Sequence, residues 1–266
     1  MIHLPTSYDP DAPALVIDIG NTSTGIATWE RGDLKTPLSA ATQDEQAFAE
    51  RFAAHVDAMP GAGPAAVVIG SVVPAALERV RAFVAEARQQ DALVVGESVP
   101  LPMDVGVVDP KAVGVDRVCA AAAVYDKLQT GCVVVDFGTA VTVDLVDDEG
   151  TFLGGAILPG LRLQICSLHE HTAALPEVEP AMPELPYGRN TTEAIQAGVC
   201  RGLAGAVRGL VEAYATYLNR WPQVVATGGD LAFIAPFCDF IDTQVPHLVL
   251  RGIGLAYSKH LTAKGA

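Results

Sequence analysis

One short design occurs twice in this chain, and it constrains the fold more than any other feature. Leu15-Val16-Ile17 runs into Asp18-Ile19-Gly20-Asn21-Thr22, and Cys132-Val133-Val134-Val135 runs into Asp136-Phe137-Gly138-Thr139-Ala140. Short apolar runs of β-branched type that end in turn residues predict strands buried on both faces. Strand-like sequence then resumes, as Thr24-Gly25-Ile26-Ala27-Thr28-Trp29 and as Val141-Thr142-Val143-Asp144-Leu145-Val146. Each copy therefore predicts strand, tight turn, strand. A Rossmann site or a P-loop places a helix directly after its glycine turn, so neither is supported.

The copies lie about one domain length apart, too far for a solenoid repeat. A single Asp-x-Gly is common turn chemistry. Two copies, each after an apolar strand and each followed by Thr, carry more weight. They predict an α/β protein of two similar lobes, each with a mixed sheet flanked by helices on a βββαβ plan. The expected division is an N-terminal extension over 1–13, one lobe over 14–128 and a second over 129–266.

Between the copies the pattern predicts a strand over 67–70, a helix over 74–90, a strand over 92–95, a Pro-punctuated loop over 97–110 and a helix over 115–128. The uncharged stretch 58–77 holds Pro60, Pro64 and Pro74 and reads as a loop feeding a buried strand, not a membrane helix. In the second half a hairpin turn falls at Gly150, with the glycine-rich run 152–160 after it. An exposed acidic loop covers 176–186 and a long helix covers 192–219. A strand over 224–226, the turn Thr227-Gly228-Gly229-Asp230 and a helix near 252–261 close the chain. Gly198, Gly202, Gly205 and Gly209 recur at helical spacing. Such a stripe lets a second helix approach closely, from within the chain or across a dimer.

Lys plus Arg number 17 against 31 Asp plus Glu, a net charge of −14. That balance, with no basic cluster, disfavours a nucleic-acid partner. The five cysteines form no CxxC pair, which points away from disulfide or zinc frameworks and toward a reducing, cytoplasmic setting. The start of the chain does not read as a signal peptide.

An Asp-x-Gly-Asn-Thr turn presents backbone N–H groups with little side-chain bulk, a nest suited to phosphate oxygens. Asp18 could hold Mg²⁺ there, and Thr22 could donate to phosphate. The second turn, with Thr139 and Thr142, could face the first across a cleft, and Gly228-Gly229 could pass close to an adenosine. Three glycine turns at strand ends suit a nucleotide held between two lobes. In Val113-Gly114-Val115-Asp116-Arg117, Asp116 is either an N-cap of the following helix or a general base for a substrate hydroxyl, and the roles are compatible. Arg117 could hold an anionic substrate or developing phosphate charge.

These residues, in this order from Leu15 to Tyr257, resemble the type III pantothenate kinases of the acetate and sugar kinase/Hsp70/actin-like superfamily. The resemblance also rests on Gly70-Ser71-Val72-Val73-Pro74, the run Gly154 to Gly160, Thr172 to Pro176, and Asn190-Thr191 through Gly198. It implies two actin-like (ribonuclease H-like) lobes with a nucleotide cleft between them. It implies phosphorylation of pantothenate by ATP with Mg²⁺, the first step toward coenzyme A. By position, Asp18, Gly20, Asn21, Thr22, Thr139, Gly228 and Gly229 would bind ATP. Asp116 would accept the proton, and Gly114, Val115, Asp116, Arg117 and Thr191 would contact pantothenate. Asp136 would hold a monovalent cation, K⁺ or NH₄⁺, and the chain would form a homodimer. One position departs from the family: Val107 stands where the family's Tyr-x-x-Pro segment has Tyr. That substitution keeps open a kinase for another hydroxy acid. A non-catalytic nucleotide-binding paralogue is the third reading, and intact Asp18, Asp116, Asp136 and Thr139 argue against it.

Overall fold

The computed structural model describes residues 12–59 and 66–265. Most of the expected extension 1–13, and residues 60–65 of the loop expected after 58, lie outside them. The elements in order are β1 (Ala14–Ile19), β2 (Ser23–Glu30), β3 (Asp33–Ala41), α1 (Glu45–Ala58), β4 (Val67–Ser71), α2 (Pro74–Arg88), β5 (Leu93–Val94), β6 (Asp104–Val105) and α3 (Val115–Leu128). There follow β7 (Cys132–Phe137), β8 (Ala140–Val146), β9 (Thr151–Pro159), α4 (Leu161–Glu170), α5 (Thr191–Leu218), β10 (Gln223–Thr227), α6 (Leu231–Ile234), β11 (Thr243–Gln244) and α7 (Leu248–Gly265).

The chain forms two compact units, one of residues 1–126 with 247–266, the other of residues 127–246. In the first, the sheet order is β3-β2-β1-β4-β5. β1 is central, antiparallel to β2 and parallel to β4, which explains its unbroken apolar run. On one face α1 and α2 meet through Phe48, Phe52 and Phe83, with Phe52 and Phe83 edge to face at 5.2 Å between ring centres. Local chemistry sets the ends: Asp44 caps α1 by accepting from the Ala47 N–H at 2.9 Å, and Pro74 opens α2, where no N–H is needed.

The other face is covered by α7, whose Leu250, Ile253, Ala256 and Tyr257 pack with Val16, Ala27, Trp29 and Val68. The Trp29 indole N–H donates to the Ser258 hydroxyl at 2.9 Å. This differs from the expected boundary, which placed 247–266 with the second lobe. The apolar stripe of α7 matches the open face of the first sheet, a pairing that sequence proximity does not reveal.

In the second unit the order runs β11-β10-β7-β8-β9. Setting β7–β11 against β1–β5 reproduces the first sheet strand for strand, so the repeated turn signature marks a repeated topology. Both expected hairpins form, β1–β2 and β7–β8. Helix α4 was not expected, although Leu161, Ile165 and Leu168 have helical spacing and pack into the core. Asn190 caps α5 by accepting from the Glu193 N–H at 2.9 Å. One face of α5 buries Ile195, Val199, Leu203, Val207 and Val211. On its opposite face a Cβ at Gly198, Gly202, Gly205 or Gly209 would meet nothing within 4 Å. Among the described residues, then, no helix of this chain packs on that stripe. No described helix is long and apolar enough to cross a membrane.

Candidate active site

In the first unit Asp18 lies near the end of β1, opposite Gly25 on β2 and Gly70 on β4. A Cβ at either glycine would meet α7, with Leu250 3.3 Å from Gly25 and Ile253 2.7 Å from Gly70, so the two glycines let α7 pack beside the half-buried Asp18. The turn beyond it closes when the Gly20 N–H donates to the Ser23 carbonyl at 3.0 Å. Thr42 braces the turn: its hydroxyl donates to the Gly20 carbonyl at 2.7 Å and its N–H to the Thr22 carbonyl at 3.0 Å. Asn21 and Thr22 stand exposed at the tip. The sequence pattern did not single out Thr42, whose role depends on β3 returning alongside the turn.

The Val72 N–H donates to the Ile19 carbonyl at 3.3 Å, which ties the Gly70–Pro74 segment to the end of β1. A Cβ at Gly114 would lie 2.5 Å from Asp116 Oδ1 and 3.6 Å from Val72, so Gly114 makes room for that carboxylate. Asp116 is the second residue of α3, not its N-cap, yet its Oδ1 accepts from the Arg117 N–H at 2.8 Å. Burial pushes its carboxyl above the ordinary value, while the Arg117 amide and charge pull it partly back. One turn on, the fully buried Cys119 thiol is pushed well up, by burial first and then by the charges of Asp18 and Asp116. Both carboxylates thus act on one thiol, and the first unit gathers Asp18 and Asp116 at one end of its sheet. Gly114, Val115 and Arg117 lie half-buried beside them. A half-buried carboxylate with raised proton affinity is a competent acceptor for a hydroxyl proton.

In the second unit Asp136 sits opposite Thr142 on β8 and Thr227 on β10. Three segments converge on the turn after it. The Gly160 N–H donates to the Thr139 carbonyl at 3.0 Å, and a Cβ there would overlap the Gly138 and Thr139 carbonyl oxygens. Gly228, at φ +111°, lies against the Phe137 backbone, where a Cβ would overlap N, C and O. The Asp230 N–H donates to the Phe137 carbonyl at 3.0 Å. Gly229 has open space around it and Thr139 is exposed. Thr191 is the exposed first residue of α5. Arg162 escaped the sequence reading: its Nε lies 3.5 Å from Asp230 Oδ1 and its Nη1 lies 3.8 Å from Glu179 Oε2. Among the described residues, no three His, Cys, Asp or Glu side chains form a cluster able to hold a metal.

The sequence profile of the type III pantothenate kinase family matches residues 14–213. The chain belongs to that family. A type III pantothenate kinase of Anaeromyxobacter sp. (strain Fw109-5) is 35% identical over 251 residues, covering 92% of this chain and 99% of the relative. One of Moorella thermoacetica is 33% identical with the same coverage. Among solved structures, component A of (R)-2-hydroxyglutaryl-CoA dehydratase from Acidaminococcus fermentans superposes with a TM-score of 0.55 at 14% identity, covering 96% of this chain and all of that one. The ethanolamine utilization protein EutJ from Carboxydothermus hydrogenoformans gives 0.52 at 16% identity, covering 96% and 92%. At those identities the likeness concerns the fold alone. For this type III pantothenate kinase family member, it agrees with the two-sheet α/β architecture expected from the repeated turns.

Proposed function

We propose that this chain phosphorylates pantothenate with ATP and Mg²⁺, forming 4′-phosphopantothenate, the first step of coenzyme A biosynthesis. Family membership supports the reaction, and the half-buried Asp116 carboxylate at the start of α3, with Gly114 making room for its Oδ1, is the observation that carries the mechanism. Asp116 accepts the proton of the substrate's primary hydroxyl as that oxygen attacks the γ-phosphorus in line. The bond from the γ-phosphorus to the bridging oxygen breaks and ADP leaves. Gly114, Val115 and Arg117 line the acceptor site, where the Arg117 guanidinium pairs with substrate carboxylate, and Thr191 is a further acceptor contact.

Asp18 and the Gly20-Asn21-Thr22 turn hold ATP phosphates, Thr139 is a second phosphate contact, and Gly228-Gly229 takes the adenosine. Phosphoryl transfer asks chiefly for alignment and charge neutralisation. Mg²⁺ brought in with ATP supplies part of that neutralisation. A K⁺ or NH₄⁺ ion at Asp136 supplies more, and a carboxylate flanked by the Thr142 and Thr227 positions offers oxygen donors of the type such ions take. We read the bare small-residue face of α5 at Gly198, Gly202, Gly205 and Gly209 as a homodimer contact. Five free cysteines fit a cytoplasmic enzyme.

The test is an ADP-release assay with ATP, Mg²⁺ and pantothenate, run in K⁺ and then in Na⁺ alone, with the product identified by mass spectrometry. Activity in K⁺ only is the expected result. Because Val107 is half-buried and lacks a ring and hydroxyl, other hydroxy acids are screened in parallel. Turnover of one of them without turnover of pantothenate would overturn the acceptor assignment.

A further inference from the structure

We propose that Arg162 is a phosphate-contacting residue of the ATP site and that Asp230 positions it, an inference resting on the nucleotide reading of the Asp136–Thr139 turn. Both residues grow from segments pinned to that turn. Arg162 lies in the first turn of α4, two residues past Gly160, whose backbone is fixed against Gly138 and Thr139 with no space for a Cβ. Asp230 follows Gly228-Gly229 directly, and its own N–H is held by the Phe137 carbonyl. Neither side chain can drift far from the turn without moving its backbone.

The pair is unusual in two ways. A cation in the first turn of a helix opposes the helix dipole, which favours anions there. Asp230 stands at the N-cap of α6, where its carboxylate would ordinarily accept from the next turn, yet it makes no capping bond. It faces the Arg162 Nε edge instead, with its side chain only 13% exposed. Burial raises the Asp230 carboxyl and Arg162 pulls it back, so the guanidinium is what makes an ionised Asp230 tolerable there. With Nε taken by Asp230, the Nη edge of the 60%-exposed side chain is left to Glu179, its only ion-pair partner among the described residues, 3.8 Å away on a side chain 89% exposed. A contact that long and that wet holds the guanidinium weakly.

A phosphate at the Gly138–Thr139 turn suits both the start of α4 and the guanidinium. It supplies the anion that the start of α4 favours and gives the outer Nη edge a fork-shaped oxygen partner, which a guanidinium matches better than an ammonium. Against the chain's charge of −14, such a local cation favours the approach of a triphosphate. Asp230 acts only through Arg162: it fixes Nε and so aims Nη.

The test compares Arg162→Gln, Arg162→Lys, Asp230→Asn and the double variant Arg162→Gln/Asp230→Asn. Two readouts are used: KM for ATP and for pantothenate at steady state, and the Kd of a non-hydrolysable ATP analogue with Mg²⁺ by titration calorimetry. Loss of a charge-assisted contact raises KM and Kd for nucleotide about tenfold or more in Arg162→Gln, with KM for pantothenate unchanged. Arg162→Lys retains part of the affinity. Asp230→Asn weakens nucleotide binding less than Arg162→Gln does, and the double variant matches Arg162→Gln. A Kd for Arg162→Gln within twofold of the parent overturns the proposal, as does additivity in the double variant, which would give Asp230 a separate role. A parent chain that binds the analogue but does not phosphorylate pantothenate removes the acceptor assignment and leaves this test standing. A parent that binds no nucleotide removes both.

Discussion

Replacing Gly228 by Ala is the sharpest single perturbation of the second turn. Gly228 holds φ at +111°, a region that costs an L-residue about 2 kcal/mol. Its Cβ would also overlap the Phe137 N, C and O atoms. Those atoms belong to the end of β7, which is hydrogen-bonded on both sides by β8 and β10, and cannot rotate away as a side-chain tip would. Forced overpacking of this kind costs about 2 kcal/mol more. Together the two effects amount to about 4 kcal/mol, or a fall in Tm of about 8–16 °C for a chain of this size. Gly229 is the matched control, because its φ is not positive and a Cβ there meets nothing within 4 Å. Thermal unfolding followed by circular dichroism measures both variants side by side. Any displacement of Phe137 also moves Asp136 and Thr139, and misplacing reacting groups by a fraction of an ångström to 1 Å costs up to about a hundredfold in rate. Gly228→Ala is thus expected to lose at least tenfold in kcat/KM for ATP, while Gly229→Ala serves as the control for stability alone. Equal Tm values for the two variants would refute the packing argument.

Further outcomes follow from burial. A thiol-directed maleimide at pH 8 labels Cys166 in the native chain and all five cysteines after unfolding, as read by intact mass, since Cys166 alone among them is exposed and burial pushes Cys132 up to about 12 and Cys238 to about 11. Between the ordinary carboxyl value of 3.8 and the higher folded value of Asp116, the native state binds that proton more often than the unfolded chain. Asp116 therefore subtracts stability as pH rises through that window. Asp116→Asn is accordingly expected to melt above the parent at pH 7.5, with the gain shrinking toward pH 4; a lower Tm at pH 7.5 would contradict the burial argument. Asn190→Ala removes the cap of α5 and costs about 1 kcal/mol, measured as a fall in urea midpoint.

Much of the architecture was written locally. The β1–β2 and β7–β8 hairpins, α2, α3 and α5 follow from apolar runs, a proline at a first helical position and capping residues, all within a few positions of one another. Asp18, Asp116 and Asp136 likewise stand out by their turn and helix-start context. What the sequence hid depends on distant segments meeting. Helix α7 joins the first sheet because its stripe fits Trp29 and Val68, far away in the chain. Thr42 matters because β3 returns past the first turn. Arg162 and Asp230 meet because Gly160 and Gly228 press separate segments onto the same backbone. Helix α4 is written in the spacing of Leu161, Ile165 and Leu168, but Gly154, Gly155, Pro159 and Gly160 just before it are residues that disfavour a helix, which masks where it begins.

On this reading Asp116 takes the proton from the hydroxyl of pantothenate. Turnover of Asp116→Asn with ATP, Mg²⁺, K⁺ and pantothenate tests it directly, alongside calorimetric binding of the ATP analogue to confirm an intact nucleotide site. Removing a general base costs about 10²–10⁴-fold, so unchanged analogue binding with less than about 1% of parental kcat is expected. Near-parental kcat in the folded variant would contradict it.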